Sequence, residues 1–169
     1  MVSSVAKALA VFVLLGSCTG ETLQNWIARE DSVGPVRVGV TPAQLNSLLH
    51  EKLKEESDAG SESCYYLESK KHPNLRFMIS DNRLARVDVI DRRVPTTNGI
   101  RVGDAEKHAL EVYGPALKIT PHQYIDDGHY LTLHPQNRKY GIRFETENGK
   151  ITMFYVGTFE AIQYVEGCL

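Results

Sequence analysis

The stretch from 121 to 130, Pro-His-Gln-Tyr-Ile-Asp-Asp-Gly-His-Tyr, brings two histidines and two aspartates together within eight residues. Its two imidazoles and two carboxylates are the groups that a divalent metal such as zinc accepts as ligands. Their spacing matches no established ligand template, and Asp127-Gly128 is typical of a turn that leads into a strand. We therefore predict a solvated turn here, with no metal and no other cofactor.

The sequence contains none of the short motifs that carry common enzymatic chemistry. It has no Gly-x-Ser-x-Gly, no His-Glu-x-x-His and no glycine-rich phosphate loop. Asp126 and Asp127 are adjacent, so their carboxylates need not converge on one substrate bond as a glycosidase pair must. We predict a protein that is not an enzyme, and keep a cell-wall hydrolase as the weaker alternative.

Tyrosines are the side chains that favour a binding role. Tyrosine on a sheet surface is a common interface anchor because it buries a large area and has few torsions to freeze. Packing in the core is the structural alternative, and stacking on sugar rings is a second functional one. Seven tyrosines lie in or beside predicted strands: Tyr65, Tyr66, Tyr124, Tyr130, Tyr140, Tyr155 and Tyr164.

Three cysteines are an odd number for an exported chain, and the N-terminus offers an explanation. The apolar run from 8 to 15 is less than half the roughly 20 residues that span a bilayer. Leu15-Gly16-Ser17-Cys18 resembles the bacterial lipobox, which implies cleavage before Cys18 and acylation of that residue. Thr19, rather than aspartate, then favours the outer membrane, facing the periplasm. Plain secretion, with cleavage near Gly20, is the alternative.

With Cys18 acylated, Cys64 and Cys168 remain as one pair, and we predict a disulfide between them. An oxidising compartment permits this bond. Closing a loop of about 100 residues removes unfolded-state entropy worth about 4.7 kcal/mol in the chain-entropy model. Two unpaired buried thiols are the alternative.

The charge balance argues against a nucleic-acid partner. The chain has 19 basic and 21 acidic residues, and no run of clustered lysines and arginines. A counterion-release footprint on nucleic acid requires such a cluster. The membrane is therefore expected to be reached through the lipid anchor and not through a basic surface.

Two stretches of the chain resemble each other, 36–45 and 100–110, and both place Arg-Val-Gly before a predicted helix start. In the first, Thr41 as N-cap, Pro42 and Gln44 form the pattern of a capping box. Leu45, Leu48, Leu49 and Leu53 give that helix an apolar stripe. In the second, Asp104 is the predicted N-cap, and Gly114-Pro115 ends the helix.

Each predicted helix is followed by predicted strands. Asn148-Gly149 is a strong hairpin signal, and the stretch from 80 to 83 is a second turn. Alternation of Arg143 and Glu145 with Ile142 and Phe144 predicts one face toward water and one toward a core. The six strands are expected at 64–67, 75–79, 84–89, 129–133, 140–145 and 150–156.

This pattern resembles the tandem units of the β-lactamase-inhibitor-protein-like fold, and Gly39-Val40-Thr41 is similar to the Gly-Met-Thr helix start of BamE/SmpA-type outer-membrane assembly lipoproteins. The whole mature chain also resembles an uncharacterised family of exported bacterial proteins through 64–67, 99–104, 128–131 and 164–168. The resemblance implies an envelope protein that binds other proteins, and it transfers no catalytic residue.

The expected fold class is α+β, with two tandem helix-plus-antiparallel-sheet repeats after an N-terminal signal segment. The expected parts are a lipoprotein signal peptide (1–17), a tether (18–35), repeat 1 (36–91), a linker (92–99) and repeat 2 (100–169).

The expected function is a lipid-anchored, non-enzymatic module that binds envelope proteins as an assembly factor or inhibitor; a secreted carbohydrate-binding protein is the alternative. The residues predicted to contact a partner are Asp81, Asn82, Arg83, Asp126, Asp127 and His129.

Overall fold

The computed structural model describes residues 23–133 and 139–168. Within these residues, eleven strands form two antiparallel sheets. The small sheet contains β1 (Ala28–Arg29), β2 (Ser32–Val33) and β3 (Val36–Arg37). The large sheet contains β4 (Lys54–Ser61), β5 (Cys64–Glu68), β6 (Leu75–Ser80), β7 (Arg83–Val89), β8 (Leu117–Pro121), β9 (His129–Leu133), β10 (Tyr140–Glu147) and β11 (Lys150–Thr158). The α-helices are α1 (Pro42–Leu48) and α2 (Glu106–Tyr113).

The large sheet is one continuous layer with the order β4-β5-β6-β7-β11-β10-β9-β8. Two four-stranded meanders meet in its middle, where β7 and β11 pair antiparallel, with Val89 opposite Phe154 and Arg86 opposite Gly157. All neighbouring strands are antiparallel, and the six strands expected from the sequence are confirmed to within one or two residues.

The predicted fold class is wrong. The described residues contain two α-helices of only 7 and 8 residues, and most of their regular secondary structure is antiparallel sheet, so the fold is mainly β. Two additional strands, β4 and β8, follow the helices where the prediction left connections. Because β7 pairs with β11, the strands form a single sheet and not two tandem helix-plus-sheet repeats.

Helix α1 begins where the sequence predicted, with Thr41 as its N-cap. Gln44 N–H donates to Thr41 Oγ1 at 3.3 Å, and Thr41 N–H donates to Gln44 Oε1 at 2.9 Å, which completes the capping box. The predicted cap of α2 is wrong: Ala105 occupies the N-cap position and provides no side-chain bond. Asp104 instead accepts the backbone N–H of Arg101 at 2.9 Å, so its carboxylate stabilises the preceding turn.

The hydrophobic core lies on one face of the large sheet, where α1, α2 and the small sheet cover it. Apolar side chains alternate along the central strands, and Phe77, Val87, Phe144 and Phe154 are fully buried. Of the predicted α1 stripe, Leu48 is exposed, because the helix ends there. The opposite face of the sheet, described below, carries charged and aromatic side chains.

The predicted signal peptide 1–17 and the predicted lipidation residue Cys18 lie outside the described residues, as does the connection after β9 at 134–138. From Leu23 on, the segment expected to be a tether is a packed part of the fold. Trp26, Ala28 and Val33 are buried, and the N–H of Ala28 donates to the carbonyl of Pro95 at 2.8 Å.

Candidate binding site on the polar face of the sheet

The face of the large sheet opposite the core is lined by charged and aromatic residues, and we call it the polar face. Because side chains alternate across a strand, every second residue of β5, β6, β7, β11 and β10 projects to this side. The cross-strand register places one such row in line. It runs Glu68, Arg76, Asp88, Tyr155 and Arg143.

A buried ion pair occupies the centre of the polar face. Arg86 and Asp88 are 2% and 1% exposed, and Arg86 Nε donates to Asp88 Oδ1 at 2.7 Å. Burial is the largest effect on Arg86 and acts to lower its pKa, but Asp88, Tyr66 and Tyr155 together outweigh it and the pKa is raised. Arg86 Nη2 also donates to the Tyr66 hydroxyl at 2.5 Å. Burial, followed by the negative charge of Asp88, raises the pKa of Tyr66.

The C-terminal segment (residues 159–168) crosses the polar face and is held there by two arginines. Arg86 Nη1 donates to the carbonyls of Ala161 and Tyr164 at 3.0 and 2.7 Å. Arg143 Nη1 donates to the carbonyls of Ile162 and Gln163, both at 3.1 Å. The four carbonyls belong to the 3₁₀ turn Ala161–Gln163 and the residue after it. A short helical turn leaves most of its last carbonyls without internal partners. Of these four, the carbonyl of Ala161 also accepts the backbone N–H of Tyr164 at 3.3 Å.

Two glycines allow the C-terminal segment to approach the sheet. A Cβ at Gly141 of β10 would lie 2.8 Å from Ile162 Cδ1, so a larger residue there would require the Ile162 side chain to move. Gly167 has φ +68°, and a Cβ there would lie 2.6 Å from the Tyr66 hydroxyl. Gly167 therefore favours glycine for both its backbone conformation and its close contact.

The segment ends in a disulfide to β5. Cys64 and Cys168 are bonded, with their Cα atoms 5.3 Å apart and a sequence separation of 104, consistent with the predicted pair. Cys168 packs with Tyr66 and Met78 in a small apolar cluster on the polar face. The disulfide thus joins the C-terminal segment covalently to β5.

A cavity of about 300 Å³ lies between the polar face, residues 165–167 of the C-terminal segment and the loop that follows β8. Strands β5, β6, β7, β11, β10 and β9 supply its floor. Tyr124, on the loop, donates its hydroxyl to the carboxylate of Glu166, on the C-terminal segment, so these two side chains meet at its edge. The cavity is the concave site of mixed polar and aromatic character in which ligands are generally held.

Most of the tyrosine rings around the cavity are already covered. The Arg76 guanidinium lies 4.1 Å from the ring centroid of Tyr66, and the Arg86 guanidinium lies 4.1 Å from that of Tyr155. Tyr130 is enclosed between the Arg143 guanidinium at 4.0 Å and the imidazole of His122 at 4.4 Å. These rings contribute cation–π contacts to the fold.

His122 connects the loop to the floor of the cavity. Its Nδ1 accepts the backbone N–H of Tyr124 at 3.1 Å, so in the neutral ring the proton resides on Nε2. That nitrogen lies 3.6 Å from Glu145 Oε2, beyond hydrogen-bond distance. Glu145 accepts the Tyr155 hydroxyl, and burial followed by the charge of Glu145 raises the pKa of Tyr155.

The residues predicted to contact a partner are not brought together. Asp81 and Asn82 form the exposed two-residue turn between β6 and β7, with φ of 48° and 59°. The strand directions place this turn and the loop containing Asp126 and Asp127 at opposite ends of the sheet. His129 begins β9 directly after that loop, and its Nδ1 lies 3.1 Å from Glu106 Oε2. Arg83 donates to the carbonyl of Gly39 at 3.0 Å.

The sequence reasoning missed the charged residues of the polar face, and it expected water where the C-terminal segment lies. Arg143 is 7% exposed and Arg86 is 2% exposed, although both alternate with apolar residues in the manner of a solvated face. Two clues were available in the sequence. Gly141 and Gly157 lie on the same face of the sheet as Arg143 and Arg86, which indicates that another part of the chain approaches this face closely. Cys168 anchors the segment that covers this face.

Within residues 23–133 and 139–168, no three histidines, cysteines or carboxylates are grouped as metal ligands. In the same residues, no helix has both the length and the apolar character needed to cross a bilayer.

No protein-family model matches the chain, and no curated protein matches it. Among solved structures, it is similar to the crystal structure of the uncharacterized protein yfeY from Escherichia coli, with a TM-score of 0.54 and 12% sequence identity. The match covers 78% of this chain and 99% of that chain. At this identity the likeness shows a common fold and nothing about function.

Proposed function

We propose that this protein is a lipid-anchored binding module of a bacterial envelope, that it has no enzymatic activity, and that it binds an envelope protein at the cavity of the polar face. The role is that of an assembly factor or inhibitor. The proposed anchor is the acylated Cys18, and the proposed location is the periplasmic side of the outer membrane.

The observation that carries this proposal is the combination of the cavity with exposed tyrosine beside it. Tyr124 is 60% exposed at the cavity edge, and Tyr164 is 41% exposed on the C-terminal segment. Tyrosine next to a concave polar pocket is the composition of an interface hot spot, in which one partner side chain enters the pocket and the surrounding contacts exclude water.

The burial of most tyrosine rings at the cavity favours a protein partner over a sugar. A carbohydrate site stacks sugar rings on exposed aromatic faces, but Tyr66, Tyr130 and Tyr155 are 3 to 4% exposed. Arginine or histidine covers at least one face of each. Of the four tyrosines at the cavity, Tyr124 alone presents a ring to solvent, and a single ring is a poor platform for a saccharide.

The disulfide supports an exported location. A bond between Cys64 and Cys168 persists in an oxidising compartment and is rare in a reducing cytosol. Labelling of cells with a fatty acid tests the anchor. We expect label on the wild-type chain and none on Cys18→Ala, and equal labelling of the two would refute the lipoprotein assignment.

Site-specific photocrosslinking in intact envelopes tests the binding role. A photoreactive residue at Tyr124 or Tyr164 is expected to capture the same partner, because both positions lie beside the cavity. The matched control is Leu48 on α1, which is exposed to a similar extent (37%) but lies on the other side of the sheet. Equal capture of that partner from Leu48 would contradict a binding site at the cavity.

A further inference from the structure

We infer that the cavity on the polar face binds a protonated amine. This inference rests on the proposed function, since it names the chemistry by which the cavity recognises its ligand. Two sources can supply an alkylammonium group: a lysine side chain of the partner protein, or a free small amine.

Charged side chains line the cavity. Its two arginines are already neutralised, and its imidazole, His122, lies with Nε2 3.6 Å from Glu145 Oε2. Arg86 pairs with Asp88, and its remaining N–H groups donate to carbonyls of the C-terminal segment. Arg76 pairs with Glu56 of β4. Neither guanidinium is therefore free to neutralise an anionic ligand.

The two remaining carboxylates at the cavity are not neutralised in this way. Glu145 and Glu166 form no ion pair with lysine or arginine among the described residues. Each accepts a neutral hydroxyl instead, from Tyr155 and Tyr124 respectively. Glu145 is largely enclosed, with a side chain 12% exposed, so its negative charge is poorly solvated. A cation bound in the cavity would supply the positive charge that these two carboxylates lack.

A buried hydroxyl provides an independent observation at the same site. Tyr130 lines the cavity and is 3% exposed, yet its hydroxyl has no hydrogen-bond partner within the described part of the chain. Burial raises the pKa of Tyr130, while the nearby backbone of Gln123 acts in the opposite direction without making a hydrogen bond of ordinary geometry. Buried hydroxyls are normally paired, so this oxygen is available to a ligand.

The acceptors match the donors of an ammonium group. An alkylammonium carries three N–H donors and no acceptor, and the cavity offers two carboxylates and one phenolic oxygen. Charge-assisted bonds of this kind are stronger than neutral ones. The volume of about 300 Å³ is large enough for a lysine side chain or a short diamine.

Calorimetry on the intact, oxidised protein tests the inference with four probes. The cationic probes are cadaverine and a capped Gly-Lys-Gly peptide. Their matched controls are glutarate and the same peptide with an acetylated lysine. We expect saturable binding of at least one cationic probe and of neither control. Binding of cadaverine alone assigns the site to small amines, and binding of the lysine peptide assigns it to a protein side chain.

Variants locate the binding within the cavity. Glu145→Gln and Glu166→Gln are expected to weaken binding about tenfold each, the effect of losing one charge-assisted hydrogen bond. Glu166 lies in an exposed position, so its variant is expected to fold even if Glu145→Gln is unstable. The control is Glu147→Gln, a solvent-exposed glutamate on the same strand as Glu145, which is expected to keep full affinity.

The inference is overturned if neither cationic probe binds, if glutarate binds as tightly as cadaverine, or if both glutamine variants keep full affinity. These outcomes are separable from failure of the proposed function. Partner capture at Tyr124 without amine binding would reject the amine chemistry and retain a protein-binding site. Amine binding without any capture would retain the cavity as an amine site and reject a protein partner.

Discussion

Arg86 Nη1 lies 2.7 Å from the carbonyl oxygen of Tyr164, and this contact joins the middle of the large sheet to the end of the chain. The same guanidinium pairs with Asp88, so one side chain connects β7 to a segment more than 70 residues away. The polar face thus has an internal role, independent of any ligand. It binds the backbone of the C-terminal segment.

Replacement of Arg86 by methionine is expected to lower the free energy of unfolding by about 3–5 kcal/mol. The change leaves the Asp88 carboxylate buried without its partner, which is the costly way to break a buried ion pair. Urea denaturation followed by circular dichroism measures the loss. Arg101→Met, at an exposed position in a loop, is the control and is expected to be close to neutral.

The double variant Arg86→Met/Asp88→Leu separates the cost of an unpaired charge from the loss of contacts. It removes both charges, so it is expected to be more stable than Arg86→Met alone. A double variant as unstable as the single one would show that the arginine's contacts with the C-terminal segment, and not the pairing of Asp88, dominate its contribution.

Loss of the disulfide is expected to release the C-terminal segment and destabilise the fold. In the chain-entropy model, a loop of this length is worth about 4.7 kcal/mol, which is an upper expectation for Cys64→Ala/Cys168→Ala. Hydrogen exchange should show loss of protection first in 159–168. Reduced wild-type protein is expected to behave like the double variant, and unchanged protection in both would contradict a role for the bond in holding the segment.

Gly167→Ala and Gly149→Ala form a matched pair, since the two glycines have φ of +68° and +69°. The backbone strain of alanine should therefore be similar at both sites, about 1 kcal/mol. At Gly149 a Cβ has no neighbour within 4 Å, whereas at Gly167 it would contact the Tyr66 hydroxyl. We expect Gly167→Ala to be clearly the more destabilising in thermal unfolding. Equal losses would show that the segment can shift away from Tyr66 at no cost.

Asp91 is expected to contribute to the acid sensitivity of the fold. Hydrogen bonds from Arg93 lower the pKa of this buried carboxyl, outweighing burial, which acts to raise it. A carboxyl whose pKa is lowered on folding stabilises the protein above the unfolded-state pKa, about 4, and that stability is lost as the pH falls through the folded-state pKa. Asp91→Asn should therefore reduce the dependence of unfolding free energy on pH between about pH 5 and 2.

The partner of this carboxyl offers the control. Arg93→Gln removes the side-chain hydrogen bonds that lower the pKa of Asp91 but keeps the one from the backbone N–H of residue 93, so it should reduce the same pH dependence in part. Combining the two substitutions should then produce little further change. If Asp91→Asn keeps the wild-type dependence of the unfolding free energy on pH in this acid range, that dependence comes from other carboxyls.

Local signals in the sequence were sufficient to predict the turns and most of the strands of the large sheet. Asn148-Gly149 adopts the left-handed conformation that its hairpin requires, and Thr41 forms the predicted capping box with Gln44. These features depend on residues within a few positions of each other. Their physical causes, permitted φ values and nearby donors and acceptors, are therefore visible in the sequence.

The arrangement of the sheet and the content of the polar face depend on contacts across long stretches of chain. The pairing of β7 with β11 joins strands about 65 residues apart, and no local pattern specifies it. Likewise, alternation at Arg143 and Glu145 indicates that the two sides of β10 differ, but it does not indicate that a distant segment covers the charged side. The cavity could not be predicted for the same reason, because its upper wall comes from residues 165–167.

The junction of β7 and β11 has a consequence for any attempt to divide the chain. A fragment ending after β7, or one beginning at α2, would expose as a bare sheet edge a strand that is interior in the intact protein. Unpaired N–H and C=O groups along such an edge favour pairing with another copy of the same fragment. Truncated forms should therefore self-associate or aggregate, and functional dissection of this protein requires point substitutions in the full-length chain.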